Sequence, residues 1–324
     1  VSTDGLEAGD PQRVGRYSVL RRIGRGGMST VYRAYDPELD RQIALKLVAS
    51  WDEGDAEGPA RLVREARAMA KINHPNVAAV YDVGLIDDGV YIAMELIEGP
   101  TLDVWTRETP RPWTEVLRMY LLAGRGLAAA HDAGLVHRDF KPDNVMVGAD
   151  ERPRVLDFGL ARPAASDDED ELLVPSEASI LLPVAELPPF GDDPATRSSG
   201  VSGTFDLQIA VTRTGIVTGT PAYMSPEQHL GELGGPASDQ FAFCVSLWEA
   251  LYRQRPFAGE SFFEVADAII EGRIAPPPAN ARVPGWITRV LERGLAREPE
   301  CRHPSMRSLL ASFVFSFKLM HGMA

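Results

Sequence analysis

The chain changes its hydrophobic period near Gly99, and this break limits its fold more than any other feature. Before it, "RYSVLRRIG" (16–24), "STVYRAYD" (29–36) and "RQIALKLVA" (41–49) are short, β-branched runs bounded by turn residues, which predicts strands. "PARLVREARAMAKI" (59–72) then spaces its apolar residues at helical intervals behind Pro59, and "NVAAVYDVGLI" and "VYIAMELIEG" return to strand character. Beyond Gly99 the spacing predicts helices over 113–133, 238–252, 261–271, 284–296 and 304–317, several of them closed by Gly or Pro. A small sheet with one helix is thus followed by a mainly helical part, and the fold class is α+β. The polar, Gly-rich residues 1–16 read as a flexible tail, and residues 313–324 as an extension beyond the last expected helix.

A length of 324 residues allows one large two-lobed domain or two modest ones. The formal charge of −13 argues against a nucleic-acid binder, which needs clustered Lys and Arg to neutralise phosphates. Most of that charge is local. Between Asp167 and Asp206 ten acidic residues stand against Arg197 alone, so this stretch carries −9 of the total. It falls in a segment, 164–210, that mixes the acidic run with Pro, Ser and Gly and shows no sustained period, as expected of a mobile loop. Cys244 and Cys301 are the only thiols and form no CxxC pair, which excludes a disulfide framework and suits a reducing cytoplasm. "VSTDGLEAGDPQRVG" has no apolar signal core, and "ASFVFSF" is too short to span a bilayer. A soluble, cytoplasmic chain without a membrane segment is expected.

Within this frame, "LVHRDFKPDNVMV" (135–147) sets Asp139, Lys141 and Asn144 within six positions between apolar flanks, after a long helix and before "RVLDFG", read as a short strand ending in Asp157. Taken in order, "GRGGMSTV" (24–31), "IALK" (43–46), "VREA" (63–66), "HRDFKPDN" (137–144), "DFG" (157–159) and "GTPAYMSPE" (219–227) resemble the eukaryotic-type Ser/Thr protein kinase family, and more particularly its bacterial members. The resemblance covers about residues 17–312. It implies a bilobal kinase fold, with a small β-rich N-lobe over 17–97 and a larger helical C-lobe over 98–312 that contains the 164–210 insertion.

The resemblance also assigns roles. Phosphoryl transfer leaves a protein little to do beyond holding reactants in line and neutralising spreading negative charge. Asp139 would orient the acceptor hydroxyl and take its proton, and Lys141 would sit beside the transferring phosphoryl group. Asn144 and Asp157 would hold Mg²⁺, with Mn²⁺ as the alternative ion; an amide and one carboxylate suffice when ATP phosphates and waters complete the shell. Lys46 would anchor phosphates and pair with Glu65. Ile23, Gly24, Gly26, Gly27, Ser29 and Val31 would form the loop over ATP, where Ser29 departs from the usual glycine. Val31 and Ala44 would cover the adenine, Met94 would lie behind it, and the backbone of Glu95 and Ile97 would hydrogen-bond it. Thr220 would shape the groove beside the acceptor. Glu227 and Arg302 match a buried ion pair, Asp239 a brace for the catalytic loop, and Cys244 stands where the family usually has Gly.

Arg138 resembles the arginine that pairs with a phosphorylated activation loop, and Thr212 and Thr214 are the expected phosphosites, with Thr218 near them. Protein Ser/Thr hydroxyls are the expected acceptors, and dimerisation would serve autophosphorylation. His137 reads as a packed structural histidine. The other histidines lack metal-ligand spacing, and Trp248 and Met119 read as core. Two further classes compete with an active kinase. A kinase-shaped scaffold would have lost one of Lys46, Asp139, Asn144 or Asp157, and all four stand. A small-molecule phosphotransferase would lack the block from Gly219 to Glu227.

Overall fold

Alternation along the first strands divides one sheet into two faces. The computed structural model describes residues 7, 9–26, 29–49, 58–86, 89–158 and 221–320. Its strands β1 (Arg13–Val14), β2 (Tyr17–Arg25), β3 (Ser29–Asp36), β4 (Arg41–Ala49), β5 (Val80–Ile86) and β6 (Gly89–Met94) form a six-stranded sheet in the order β1-β2-β3-β4-β6-β5. All the pairings are antiparallel. Successive side chains of a strand face opposite ways. Val14, Tyr17, Val19, Tyr32, Ala34, Ile43, Leu45 and Ala93 therefore close a small core on one face. Ala44, Val48, Val90, Ile92 and Met94 join the main core on the other, with Leu62, Ala66 and Met69 of helix α1 (Gly58–Met69).

The segment expected as a tail behaves differently over its described part. Arg13 and Val14 pair with Ser18 and Tyr17, and the Tyr32 hydroxyl donates to Asp10 at 2.8 Å. A two-residue strand leaves no periodic signal, because its stability comes entirely from its neighbour.

The helical part comprises α2 (Leu102–Glu108), α3 (Trp113–Asp132), α4 (Pro226–His229), α5 (Pro236–Tyr252), α6 (Phe262–Ile270), α7 (Gly285–Gly294) and α8 (Met306–Met320), with a hairpin of β7 (Val145–Val147) and β8 (Pro153–Val155). Helix α2 has no counterpart among the expected helices. It is only seven residues long and depends on the Thr101 hydroxyl, which accepts the Val104 N–H at its start. Helix α8 continues to Met320, so the expected extension from 313 begins as helix. No described helix is long and apolar enough to cross a membrane.

Helices α3 and α5 carry the centre of the core, where Tyr120, Phe140, Phe243 and Trp248 are fully buried. Met119 and Trp248 are core, as expected. Cys244 sits at the crowded contact between α5 and α7. Gly294 of α7 faces it, and a Cβ built there would collide with the Cys244 sulfur while lying 3.5 Å from its Cβ. The residue without a side chain at this contact is Gly294, on the helix that faces Cys244.

Arg302 is buried, and all its donors are used. Its Nη1 and Nη2 donate to Glu227 at 2.8 Å each, and the remaining bonds go to the carbonyls of Ala296, Ala237 and Arg297. Burial alone would raise the Glu227 pKa, but hydrogen bonds from Arg302 and the Ser238 hydroxyl lower it to about 2. This bidentate pair pins α4 to the turn before α8.

Two outcomes follow from this packing. Gly294→Ala should destabilise the fold by about 1–3 kcal/mol through overpacking, and Cys244→Ala in the same chain should recover most of the loss. A double-mutant cycle by denaturant melts checks the coupling. The lowered Glu227 pKa contributes stability that is present above the ordinary value of 4.5 and disappears as pH falls toward about 2. Glu227→Gln should flatten that limb of the stability profile and cost about 3–5 kcal/mol at neutral pH, since Arg302 would be left buried and uncompensated.

Candidate active site

Helix α3 ends at Asp132, and the chain returns to β7 through residues 133–144, which one carboxylate of α5 holds in place. Asp239 is 1% exposed. Its Oδ2 accepts the His137 N–H and its Oδ1 the Arg138 N–H, each at 2.7 Å, and His131 Nε2 lies 2.7 Å from Oδ2. Arg138 takes φ 64, a left-handed conformation that a non-glycine residue holds only when its surroundings impose it. The His137 ring accepts the Asp139 N–H at Nδ1 (3.3 Å), so its own proton is on Nε2, which donates to the Leu156 carbonyl at 2.8 Å. The ring packs against Phe140 and Phe158. His137 is therefore a structural histidine that ties the loop to the segment ahead of Asp157.

The loop presents its polar residues at one place. Lys141 is buried, with Nζ 3.8 Å from Asp139 Oδ2. Asn144 Nδ2 donates to the Asp139 carbonyl at 2.8 Å and to its carboxylate at 3.3 Å. The Asn144 carbonyl accepts the Leu156 N–H at 2.9 Å. Asn144 thus stands at the start of the β7–β8 hairpin and Asp157 two residues past its end, because the strand expected to run to Asp157 stops at Val155. Asp157 also has positive φ, 56. Its Oδ1 lies 2.8 Å from Lys46 Nζ. Burial works to raise the Asp157 pKa, but the Lys46 charge and hydrogen bond hold it below the ordinary range.

Strand register sets the rest of the cleft. Val31 pairs with Lys46, and Lys46 with Ile92; Ala44 pairs with Met94. The side chains of Val31, Ala44, Lys46 and Met94 share one face of the sheet. Glu65 is half-buried on α1. Gly24 pairs with Val31, the Gly26 N–H bonds the Ser29 carbonyl at 2.7 Å, and Ile23 is 42% exposed. Gly27, Thr212, Thr214, Thr220 and the 164–210 insertion lie outside the described residues. The Glu95 N–H is taken up by the Ala79 carbonyl at 2.9 Å, which leaves its own carbonyl as the group able to meet a ligand; Ile97 is half-buried two residues on.

Sequence reasoning missed Arg154. Its two Nη groups make a bidentate pair with Asp150 at 2.9 Å, and its Nε reaches Glu95 at 2.8 Å. The hydrogen bond from Arg154 is the main cause that lowers the Asp150 pKa to about 2. The i,i+4 spacing of Asp150 and Arg154 was visible in the sequence, but Glu95 is remote from both. An open cleft of about 450 Å³ lies along the strap, residues 95–101 between β6 and α2, lined by Arg33, Gln42 and Glu98 as well as Arg154. Asn76 was also missed. It is buried and holds β8 through its Nδ2 bond to the Pro153 carbonyl and its own carbonyl's bond from Val155.

Two lysines facing two carboxylates, with an amide beside them, suit a polyanionic ligand carrying a divalent cation. The protein kinase domain family matches residues 17–177. Over 292 residues the chain is 34% identical to the Ser/Thr protein kinase PknL of Mycobacterium tuberculosis, covering 89% of this chain and 62% of PknL. It is 33% identical over 297 residues to PknA of the same organism, covering 90% of this chain and 59% of that protein. PrkC of Bacillus subtilis is 31% identical over 307 residues, 94% of this chain and 41% of PrkC. The chain belongs to the eukaryotic-type Ser/Thr protein kinase family, in its bacterial branch. It spans about three fifths of the length of PknL and PknA.

Asp239→Ala should leave two buried loop N–H groups without an acceptor and release the left-handed Arg138. The expected cost is about 2–5 kcal/mol of stability, read by thermal melting, and a larger fall in turnover than the melt alone explains at a temperature where the variant stays folded.

Proposed function

We propose that this chain is a Ser/Thr protein kinase that transfers the γ-phosphoryl group of Mg-ATP to protein hydroxyls. The observation that carries the reading is the convergence of Asp139, Lys141 and Asn144 from one rigid loop with the Lys46–Asp157 pair at 2.8 Å. In the reaction, the acceptor oxygen forms a bond to the γ-phosphorus while the bond to the β-γ bridging oxygen breaks and ADP leaves. Asp139 orients the acceptor hydroxyl and takes its proton. Lys141 faces the charge that develops on the phosphoryl oxygens. Lys46 holds the phosphates from the sheet side and takes Glu65 of α1 as its second partner.

Asn144 and Asp157 fit a divalent cation. The Asn144 amide nitrogen is turned to Asp139, which frees its oxygen, and no group of three or more His, Cys, Asp or Glu among the described residues forms a dedicated cage. One amide oxygen and one carboxylate suit Mg²⁺, or Mn²⁺, with the rest of the shell from phosphate and water. A cation held there would neutralise charge on the phosphates. Ile23, Gly24, Gly26, Gly27, Ser29 and Val31 close over the nucleotide, Val31 and Ala44 cover the adenine with Met94 behind it, and the Glu95 carbonyl and Ile97 N–H bond its edge.

Residues 17–97 and 98–312 form the two lobes, with Thr220 beside the acceptor. Autophosphorylation at Thr212 and Thr214, in a cytoplasmic dimer, gives Arg138 its anionic partner. Incubation with γ-labelled ATP, Mg²⁺ and a basic protein acceptor tests this directly. Lys46→Met and Asp139→Asn should each lower transfer by about 10²-fold or more while the melt stays near that of the parent. Mapped label should fall on Thr212 or Thr214. Undiminished transfer by Asp139→Asn would refute the assigned chemistry.

A further inference from the structure

Gln228 joins the α4 turn to the loop that carries Asp139. The residue is 6% exposed, and its carboxamide works in both senses. Nε2 donates to the Arg138 carbonyl at 2.9 Å, while Oε1 accepts the Ser225 N–H at 3.1 Å and the Ser225 hydroxyl at 3.3 Å. A carbonyl only accepts and a backbone N–H only donates, so these partners fix which way the amide points. Gly234 leaves the room: a Cβ there would lie 2.8 Å from Gln228 Nε2 and 3.0 Å from its Cδ. The Gly234 carbonyl also accepts Arg138 Nε at 3.2 Å.

Arg138 is consequently gripped on both sides of its backbone, the N–H by Asp239 and the carbonyl by Gln228. Its carbonyl shares a planar peptide unit with the N–H of Asp139. Whatever holds that carbonyl also orients the peptide entering Asp139.

We propose that Gln228 is a positioning residue for phosphoryl transfer, whose carboxamide locks the Ser225 backbone to the peptide plane that carries Asp139. The proposal rests on the kinase reading and deepens it. The position requires a donor and an acceptor together. Leucine supplies neither. Ionised glutamate supplies acceptors only and would set an oxygen against the Arg138 carbonyl, whereas protonated glutamate, with one O–H and one C=O, restores both bonds.

The test is the kcat of Gln228→Leu and Gln228→Glu at saturating ATP across about pH 6 to about pH 8, a range that a buried carboxyl can reach. ADP affinity and melting temperature serve as controls for nucleotide binding and folding. The charged and titratable groups on the surrounding elements include Arg138 and Asp139 of the loop, Asp239 with His131 beside it, the Glu227–Arg302 pair, and His229 and Glu232 near α4. The parent carries all of them, so the ratio of variant to parent isolates the introduced carboxyl.

Gln228→Leu should lose about tenfold or more in kcat with ADP affinity retained. The Gln228→Glu ratio should climb toward one as pH falls. Parental kcat in Gln228→Leu, or a Gln228→Glu ratio that stays flat with pH, overturns the proposal alone. A parent that transfers no label overturns the kinase reading and this proposal with it.

Discussion

The Asp239 carboxylate is the interaction on which the rest of the site depends. It is an ion within the helical core, placed at the first turn of α5, and it accepts the backbone N–H groups of His137 and Arg138. Burying a charge is costly unless hydrogen bonds compensate, and here three donors converge on two oxygens. The same bonds impose the left-handed turn at Arg138, which swings the next residues, Asp139 to Asn144, toward the cleft. Local strain at Arg138 is thus stabilised by the buried anion behind it. The helix that supplies Asp239 is itself anchored by aromatic packing and, through Ser238, by the Glu227–Arg302 pair. Stability in the core and geometry at the surface are therefore coupled.

The β7–β8 hairpin extends this control along the cleft. At its base stand Asn144 and Asp157; at its tip Asp150 holds Arg154, which reaches Glu95 at the start of the strap. The Val147 N–H also bonds the Pro100 carbonyl at 2.8 Å. The proposed metal end and adenine end of the nucleotide are consequently referenced to one rigid element, as positioning to within a fraction of an ångström demands.

Much of this was legible in the sequence because the signals were local. The alternation in "STVYRAYD" and "RQIALKLVA" is a direct imprint of a sheet with two covered faces. The short spacings within "HRDFKPDN" survive as a single loop with its side chains together. What escaped was either short or long-range. Strand β1 exists only by pairing, and α2 is a seven-residue helix held by a cap. Helix α8 runs on to Met320 because its apolar spacing persists past the expected boundary. Arg154 reaches Glu95, Asn76 reaches Pro153 and Val155, and Gln228 reaches Arg138 over long stretches of chain, and no local pattern announces those contacts. Cys244 was legible as a departure from the family's glycine, but its close contact with Gly294 on a facing helix was not.

Bonds to the Asp239 carboxylate hold the loop that carries Asp139. The most direct measurement is native-state hydrogen exchange at the His137 and Arg138 amides in the nucleotide-free chain. Both should exchange only through large-scale unfolding, with protection matching that of the core amides in α5. Exchange at rates typical of an exposed loop, with α5 still protected, would contradict the claim that Asp239 holds the loop in place.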